Sequence, residues 1–210
     1  MKSVVICFEG IEGSGKTTQS VALQRELEDS GIKVKRFAEP YSTPLSLSLR
    51  DVILNNNDVD VMAEYLLFLA SRAHSYRDNI KPAIEEGCVV LLDRFSASSL
   101  AYQGQTLDRE VIRRLESAAI PDCVDYVFLF DVSPVIALER VSIRGRKDKF
   151  EARGLQFHTD VRNAYLDMAK AAPRFKPEMK KQPPWLVFNA SMTVDELKNA
   201  VLTEFNNVYR

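Results

Sequence analysis

Histidine is scarce in this chain, two in 210 residues, and cysteine nearly as scarce, with three. Cys7, Cys88 and Cys123 stand far apart in apolar stretches, form no CxxC pair and have too few histidines to complete a zinc site. They read as buried thiols in a reducing cytosol. His74 and His158 occupy no triad-like setting, so both are expected to be structural and imidazole-driven catalysis is not. No apolar run reaches membrane-spanning length. Met1-Lys2-Ser3 leads straight into an apolar strand without the h-region or cleavage site of a signal peptide. Charge of one sign is also missing: 28 Lys plus Arg against 29 Asp plus Glu leaves −1. No global field draws the chain to nucleic acid or an anionic membrane, so any bound anion must meet a local cationic pocket. A cytoplasmic location is expected, with neither nucleic acid nor membrane as partner.

With 46% hydrophobic residues, the chain can bury one continuous core, and a single domain over residues 1–210 is expected. Short apolar runs recur at Val4 to Phe8, Val34 to Ala38, Val89 to Leu92, Tyr126 to Val132 and Leu186 to Phe188. Helical periods fill the gaps at about 16–30, 44–55, 59–86, 108–119, 134–143, 155–170 and 193–208. Ser133-Pro134 and Thr193 with Glu196 supply start signals for two of them. The alternation predicts an α/β fold of three layers, a buried parallel sheet of five strands flanked by helices. The Pro-dense stretch Pro173 to Pro184 reads as a loop between the last long helix and the last strand.

Gly10, Ile11, Glu12, Gly13, Ser14, Gly15, Lys16 and Thr17 match GxxxxGK[ST] at every fixed position, directly after the first strand and before a helical pattern. Glycines are needed because the loop wraps a phosphate at contact distance with its N–H groups turned inward. Lys16 supplies charge to the β and γ phosphates, Thr17 a hydroxyl to Mg²⁺, and the helix start, with Thr18, the positive end of a dipole. The pattern specifies a P-loop NTPase fold that binds Mg²⁺ with ATP or GTP. Asp93 ends the third strand beside Arg94, where strand ends face the ligand crevice. It can hold Mg²⁺ through water, cap the next helix, or pair with Arg94. Phe68 and Arg72 stand four apart, placing a flat ring and a guanidinium on one helical face, where a base could stack on one and bond the other.

The P-loop run from Phe8 to Gln19, then Glu39-Pro40, Phe68-x-x-x-Arg72, Asp93-Arg94-Phe95 and Ser98-x-x-Ala101-Tyr102-Gln103-Gly104 resemble the thymidylate kinase family in order and spacing over nearly the whole chain. The resemblance implies transfer of a phosphoryl group from ATP to dTMP, giving ADP and dTDP for dTTP synthesis, and a homodimer built through long helices such as 59–86. By it, Phe68 stacks on thymine, Arg72 bonds a base carbonyl, Ser99 or its neighbour Ser98 sits at the base edge, and Tyr102 fills the space of a 2′-hydroxyl. Glu12 accepts the 3′-hydroxyl, and Pro40 belongs to the turn leading to Arg50. Arg50 and Arg94 hold the acceptor phosphate from opposite sides.

Residues 140–153 form a locally basic stretch around Gly145 that resembles the family's lid. The family has a type without an arginine beside the P-loop carboxylate, where the lid supplies the charge; here that position is Gly13. The family's lid often reads Asp-Arg-x-Glu, whereas this chain has Asp148-Lys149-Phe150-Glu151. Arg144, Arg146, Lys149 and Arg153 are all candidates for the catalytic cation, with Arg144 and Arg146 ahead because Gly145 permits close approach. An acceptor phosphate, with a second pKa of about 6, attacks without a general base. Two other readings compete: a related P-loop kinase for another deoxynucleotide or a deoxynucleoside, and a P-loop switch, although the separate guanine-reading motif of GTPases is missing.

Overall fold

Among the described residues, five short strands pair in parallel in the order β2-β3-β1-β4-β5. They are β1 Val4–Glu9, β2 Val34–Ala38, β3 Val89–Asp93, β4 Tyr126–Asp131 and β5 Trp185–Asn189. The computed structural model describes residues 3–56, 58–143, 145, 149–172 and 183–209. Strand alternation splits the core in two. Ile6, Phe8, Leu91 and Phe128 lie in one apolar cluster, and Val5, Cys7, Val90, Leu92 and Val127 in the other. Helices cover both faces, which gives the three layers. β5 departs from the expected buried strand: among the described residues it is the edge strand and pairs only with β4, and it leaves Val187 52% exposed.

Helices α1 Lys16–Asp29, α2 Pro44–Asn55 and α3 Val61–Ser75 precede β3. The helix expected without interruption over 59–86 widens into a π turn at Tyr76–Ile80 before α4, Lys81–Glu85. Pro82 is the cause, since it has no N–H for the carbonyl of Asp78 and its ring crowds that carbonyl. After β3 comes α5, Ser96–Tyr102, which the sequence pattern does not announce. Three serines in seven residues leave no apolar period, and the helix forms against α6, Arg109–Ala119, and α8, Leu155–Ala171. Helix α7, Pro134–Ile143, and α9, Val194–Tyr209, complete the chain. Thr193 and Glu196 form the capping box: Glu196 N donates to Thr193 Oγ1 at 3.3 Å and Thr193 N to Glu196 Oε2 at 3.0 Å.

Cys7 and Cys88 are buried as expected, but Cys123 is only half-buried. Of the proposed loop Pro173 to Pro184, residues 173–182 lie outside the described residues. Among the described residues no helix is long and apolar enough to cross a membrane. Register places Phe8 opposite Asp93, and Asp93 opposite Ala38, so all the carboxyl ends of β1, β2 and β3 meet at one edge. Strand order reverses at β1, and the crevice outside such a reversal is where an open parallel sheet binds ligands.

Candidate active site

The turn from β1 into α1 is a loop whose backbone only glycine adopts without strain: Gly13 has φ +75° and Gly15 φ +91°. Lys16 is buried and folds over this loop, donating from Nζ to the carbonyls of Gly10 at 3.0 Å and Ile11 at 2.8 Å. Burial, and then the charge of Arg94, push its ammonium down to about 7. Thr17 Oγ1 donates to Asp93 Oδ2 at 2.6 Å, so the hydroxyl and carboxylate expected at the metal are already together. Both are hard oxygen donors, which suits Mg²⁺. Of the roles open to Asp93, helix capping is not the one adopted, since α5 has no side-chain cap. Its ion pair is with Arg36, at 3.7 Å, and not with Arg94.

Arg94 is the hub between this loop and the rest of the cleft. Among the described residues it is the one non-glycine with positive φ, +74°, a conformation disfavoured by its Cβ. That turn aims its side chain back across β1: Nη1 donates to Gly10 O and to Ser98 Oγ, both at 3.1 Å, and Nη2 to Glu12 Oε1 at 2.9 Å. Tyr102 OH donates to the other Glu12 oxygen. Burial opposes ionisation of Glu12, but Arg94, then Lys16, and the Tyr102 bond hold its carboxyl below the usual range. His158, expected to be merely structural, is buried in the same wall, with Nδ1 3.7 Å from Glu12 Oε2.

Phe68 and Arg72 do share a helical face and both line the cleft, but Arg72 is only 2% exposed and heavily engaged. Its Nε donates to Glu39 Oε2 at 2.7 Å, Nη1 to Glu116, and both Nη atoms to Ser99 Oγ at 3.2 Å. Burial pushes the Glu39 carboxyl up to about 7, with Arg72 opposing and Glu116 adding to it. One guanidinium faces two carboxylates here, so a proton on Glu39 leaves the cluster neutral. The two serines that sequence leaves open now part company: Ser99 bonds Arg72, while Ser98 donates to Glu9 Oε2 at 2.7 Å. Pro40 lines the cleft after a cis peptide from Glu39. Arg50 also lines it, with its guanidinium 4.7 Å above the Tyr41 ring and its Nε buried without a hydrogen-bond partner.

Glu12, Lys16, Thr17, Asp93, Arg94, Phe68, Arg72, Ser98, Ser99, Tyr102, Pro40 and Arg50 all line one cavity of about 810 Å³. Arg36, Glu9, Glu116 and Tyr165 belong to its walls or to the shell behind them, and sequence reasoning did not single out any of them for the site, while Glu39 enters only as part of the Glu39-Pro40 motif, with no role given. Only the acid that ends the apolar run of β1, Glu9, carried a local signal. Of the lid candidates, Arg144 and Arg146 lie outside the described residues. Arg153 stacks on Phe157 at 4.4 Å, and Lys149 Nζ pairs with Glu64 Oε2 at 2.6 Å, away from the P-loop. Arg140 Nη1 donates to Ala190 O at 3.0 Å and to Gly13 O at 3.4 Å, tying α7 to the loop.

A family model described as thymidylate kinase matches residues 8–190. A thymidylate kinase of Thermosipho melanesiensis is 42% identical over 173 residues, covering 81% of this chain and 86% of that protein. One of Deinococcus radiodurans is 36% identical over 204 residues, covering 94% and 93%. The crystal structure of thymidylate kinase from Ehrlichia chaffeensis superposes with a TM-score of 0.77 at 28% identity, covering 98% of this chain and 99% of that one. With the P-loop, the Asp93-Arg94 strand end and the Phe68-Arg72 face converging on one cavity, the chain belongs to the thymidylate kinase family.

Proposed function

We propose that residues 1–210 act as one kinase domain in which the P-loop seats ATP, with Mg²⁺, and the wall carrying Phe68, Arg72, Ser99 and Tyr102 seats dTMP. The reaction is that of the family, phosphoryl transfer from ATP to dTMP giving ADP and dTDP. The observation that carries the assignment of sites is Arg94, whose guanidinium touches Gly10 and Glu12 of the P-loop on one side and Ser98 and Tyr102 of the acceptor wall on the other. A cation there meets both phosphates. Phe68 offers a face for thymine, and the bonds Arg72 makes to protein leave one Nη2 hydrogen of its five donors for a base carbonyl. Arg50, with its buried unpartnered Nε, suits the acceptor phosphate, as does Arg36. Glu12, held ionised, is an acceptor for the 3′-hydroxyl.

The acceptor phosphate is largely ionised at neutral pH and attacks the γ-phosphorus directly, the bond to the β-γ bridging oxygen breaks, and ADP departs. Two phosphates about 4 Å apart repel by about 4 kcal/mol per unit charge pair at an effective dielectric near 20. Lys16, Arg94 and the lid arginines Arg144 and Arg146 offset that repulsion. Thr17 and, through water, Asp93 would hold Mg²⁺, which would neutralise charge on the donor phosphates.

The chain is further proposed to work in the cytoplasm as a homodimer. The packed pair α2 and α3 exposes Leu45, Leu47, Val52 and Leu66, a concentration of large apolar side chains suited to a second copy. Light scattering at micromolar concentration should report twice 23.8 kDa. With Mg·ATP the protein should convert dTMP to dTDP far faster than it phosphorylates UMP, AMP or thymidine. Equal rates with AMP would sink the thymidylate assignment.

A further inference from the structure

The lid sequence groups Lys149 with cations that face the transferring phosphates, yet its surroundings are those of the acceptor helices. An ammonium has three donors. Those of Lys149 reach Glu64 Oε2 at 2.6 Å, Ile53 O at 3.1 Å and Asn56 O at 3.4 Å. Ile53 lies in the last turn of α2, where carbonyls lack helical partners and the helix dipole is negative. Glu64 is in the first turn of α3 and also accepts from Gln103 Nε2 at 2.9 Å, just beyond α5. One largely buried cation therefore fastens this part of the lid to the ends of α2 and α3 and, through Glu64 and Gln103, to the turn after α5; these elements carry Arg50, Phe68 with Arg72, and Ser99 with Tyr102. The side chains of Lys149 and Glu64 are 10% and 5% exposed. Moving the lysine to the phosphates would strip a buried carboxylate of its counter-charge, which is strongly unfavourable.

The next residue explains what the fastening holds. Phe150 is 7% exposed, its ring 6.1 Å from Phe68 and 5.9 Å, edge-on, from Tyr102, and it lines the same cavity. We propose that Phe150 is a specificity-determining wall of the nucleobase pocket and that Lys149 is the positioning residue that holds it there, not the cation of phosphoryl transfer. The compact ammonium also fits its setting better than a guanidinium: three acceptors surround it, and five fixed donors would leave buried N–H groups unmatched. The departure from Asp-Arg-x-Glu is then a change of task. This inference rests on the acceptor pocket being the one that contains Phe68.

Steady-state kinetics on the full chain, varying dTMP and ATP separately, separates the two roles, with thermal melts as a check on folding. Lys149→Met and Phe150→Leu should raise KM for dTMP by about tenfold, equivalent to about 1.4 kcal/mol of lost aromatic packing, with kcat and KM for ATP within about threefold. Lys149→Arg should resemble Lys149→Met. A fall in kcat of about a hundredfold with KM for dTMP unmoved would make Lys149 the phosphate cation and overturn the proposal. So would a rise in KM for ATP in step with that for dTMP. Should Lys149→Met fail to fold, Phe150→Leu decides alone. Phe68→Ala is the control on the pocket: an unchanged KM for dTMP there removes the underlying assignment, and the proposal with it.

Discussion

Gly13 offers a test in which geometry fixes the outcome. A Cβ added there would lie 2.3 Å from the carbonyl oxygen of Ala137 and 2.9 Å from its carbonyl carbon, both main-chain atoms of α7. Neither can rotate aside, and a carbon needs about 3.3 Å from a carbonyl oxygen, so the loop must move by about 1 Å. Gly13→Ala therefore combines the left-handed backbone penalty, about 1–2 kcal/mol, with overpacking, about 1–3 kcal/mol. Gly31 is the matched control, since it has φ +74° with nothing within 4 Å of its added Cβ. Gly31→Ala should show only the first term. Differential scanning calorimetry should find Gly13→Ala melting below Gly31→Ala by about 2–12 °C, taking about 2–4 °C per kcal/mol for a chain of this size. Because the displaced loop holds ATP, kcat/KM for ATP should also fall by about a hundredfold in Gly13→Ala and hold in Gly31→Ala. Equal melting temperatures would refute the reasoning, and with it the contact that leaves no room for a P-loop arginine at this position.

Lys16, pushed down to about 7 by burial, is mostly neutral at pH 8 in the free protein, and the phosphates of ATP should recharge it. Titration calorimetry of Mg·ATP at pH 8 in buffers of different protonation enthalpy should find uptake of about one proton for the wild type and none for Lys16→Arg, whose guanidinium stays charged; no uptake by the wild type contradicts a neutral lysine. Glu39 moves the other way, from the ordinary glutamate value of 4.5 to about 7 in the fold. Between those pH values the unfolded chain has lost the proton and the folded chain keeps it, so stability from this group is complete below 4.5 and is lost as pH rises to about 7. The melting temperature of the wild type relative to Glu39→Gln should therefore fall from pH 5 to pH 7.5, and a constant or rising difference would exclude the buried proton.

The α/β class, the positions of five strands and the P-loop are written locally, as apolar runs of strand length, helical periods and glycines at fixed spacing, so they can be read without knowing which segments meet. Phe68 and Arg72 could be placed on one face for the same reason, since four residues make about one helical turn. What sequence does not carry is the choice of partner. Arg72 meets Glu39 and Glu116 from 33 and 44 residues away, and nothing local pairs either acid with it, even though Glu39 stands in the Glu39-Pro40 motif. Ser98 and Ser99 are chemically alike neighbours, and only the packing of α5 turns one to Glu9 and the other to Arg72. Lys149 looks like any lid cation until the fold brings Glu64 and the end of α2 beneath it. Periodicity and spacing decide which element forms, because those energies act within a few residues. The company a buried charge keeps is set by desolvation and Coulomb terms between distant segments, and those exist only once the chain has folded.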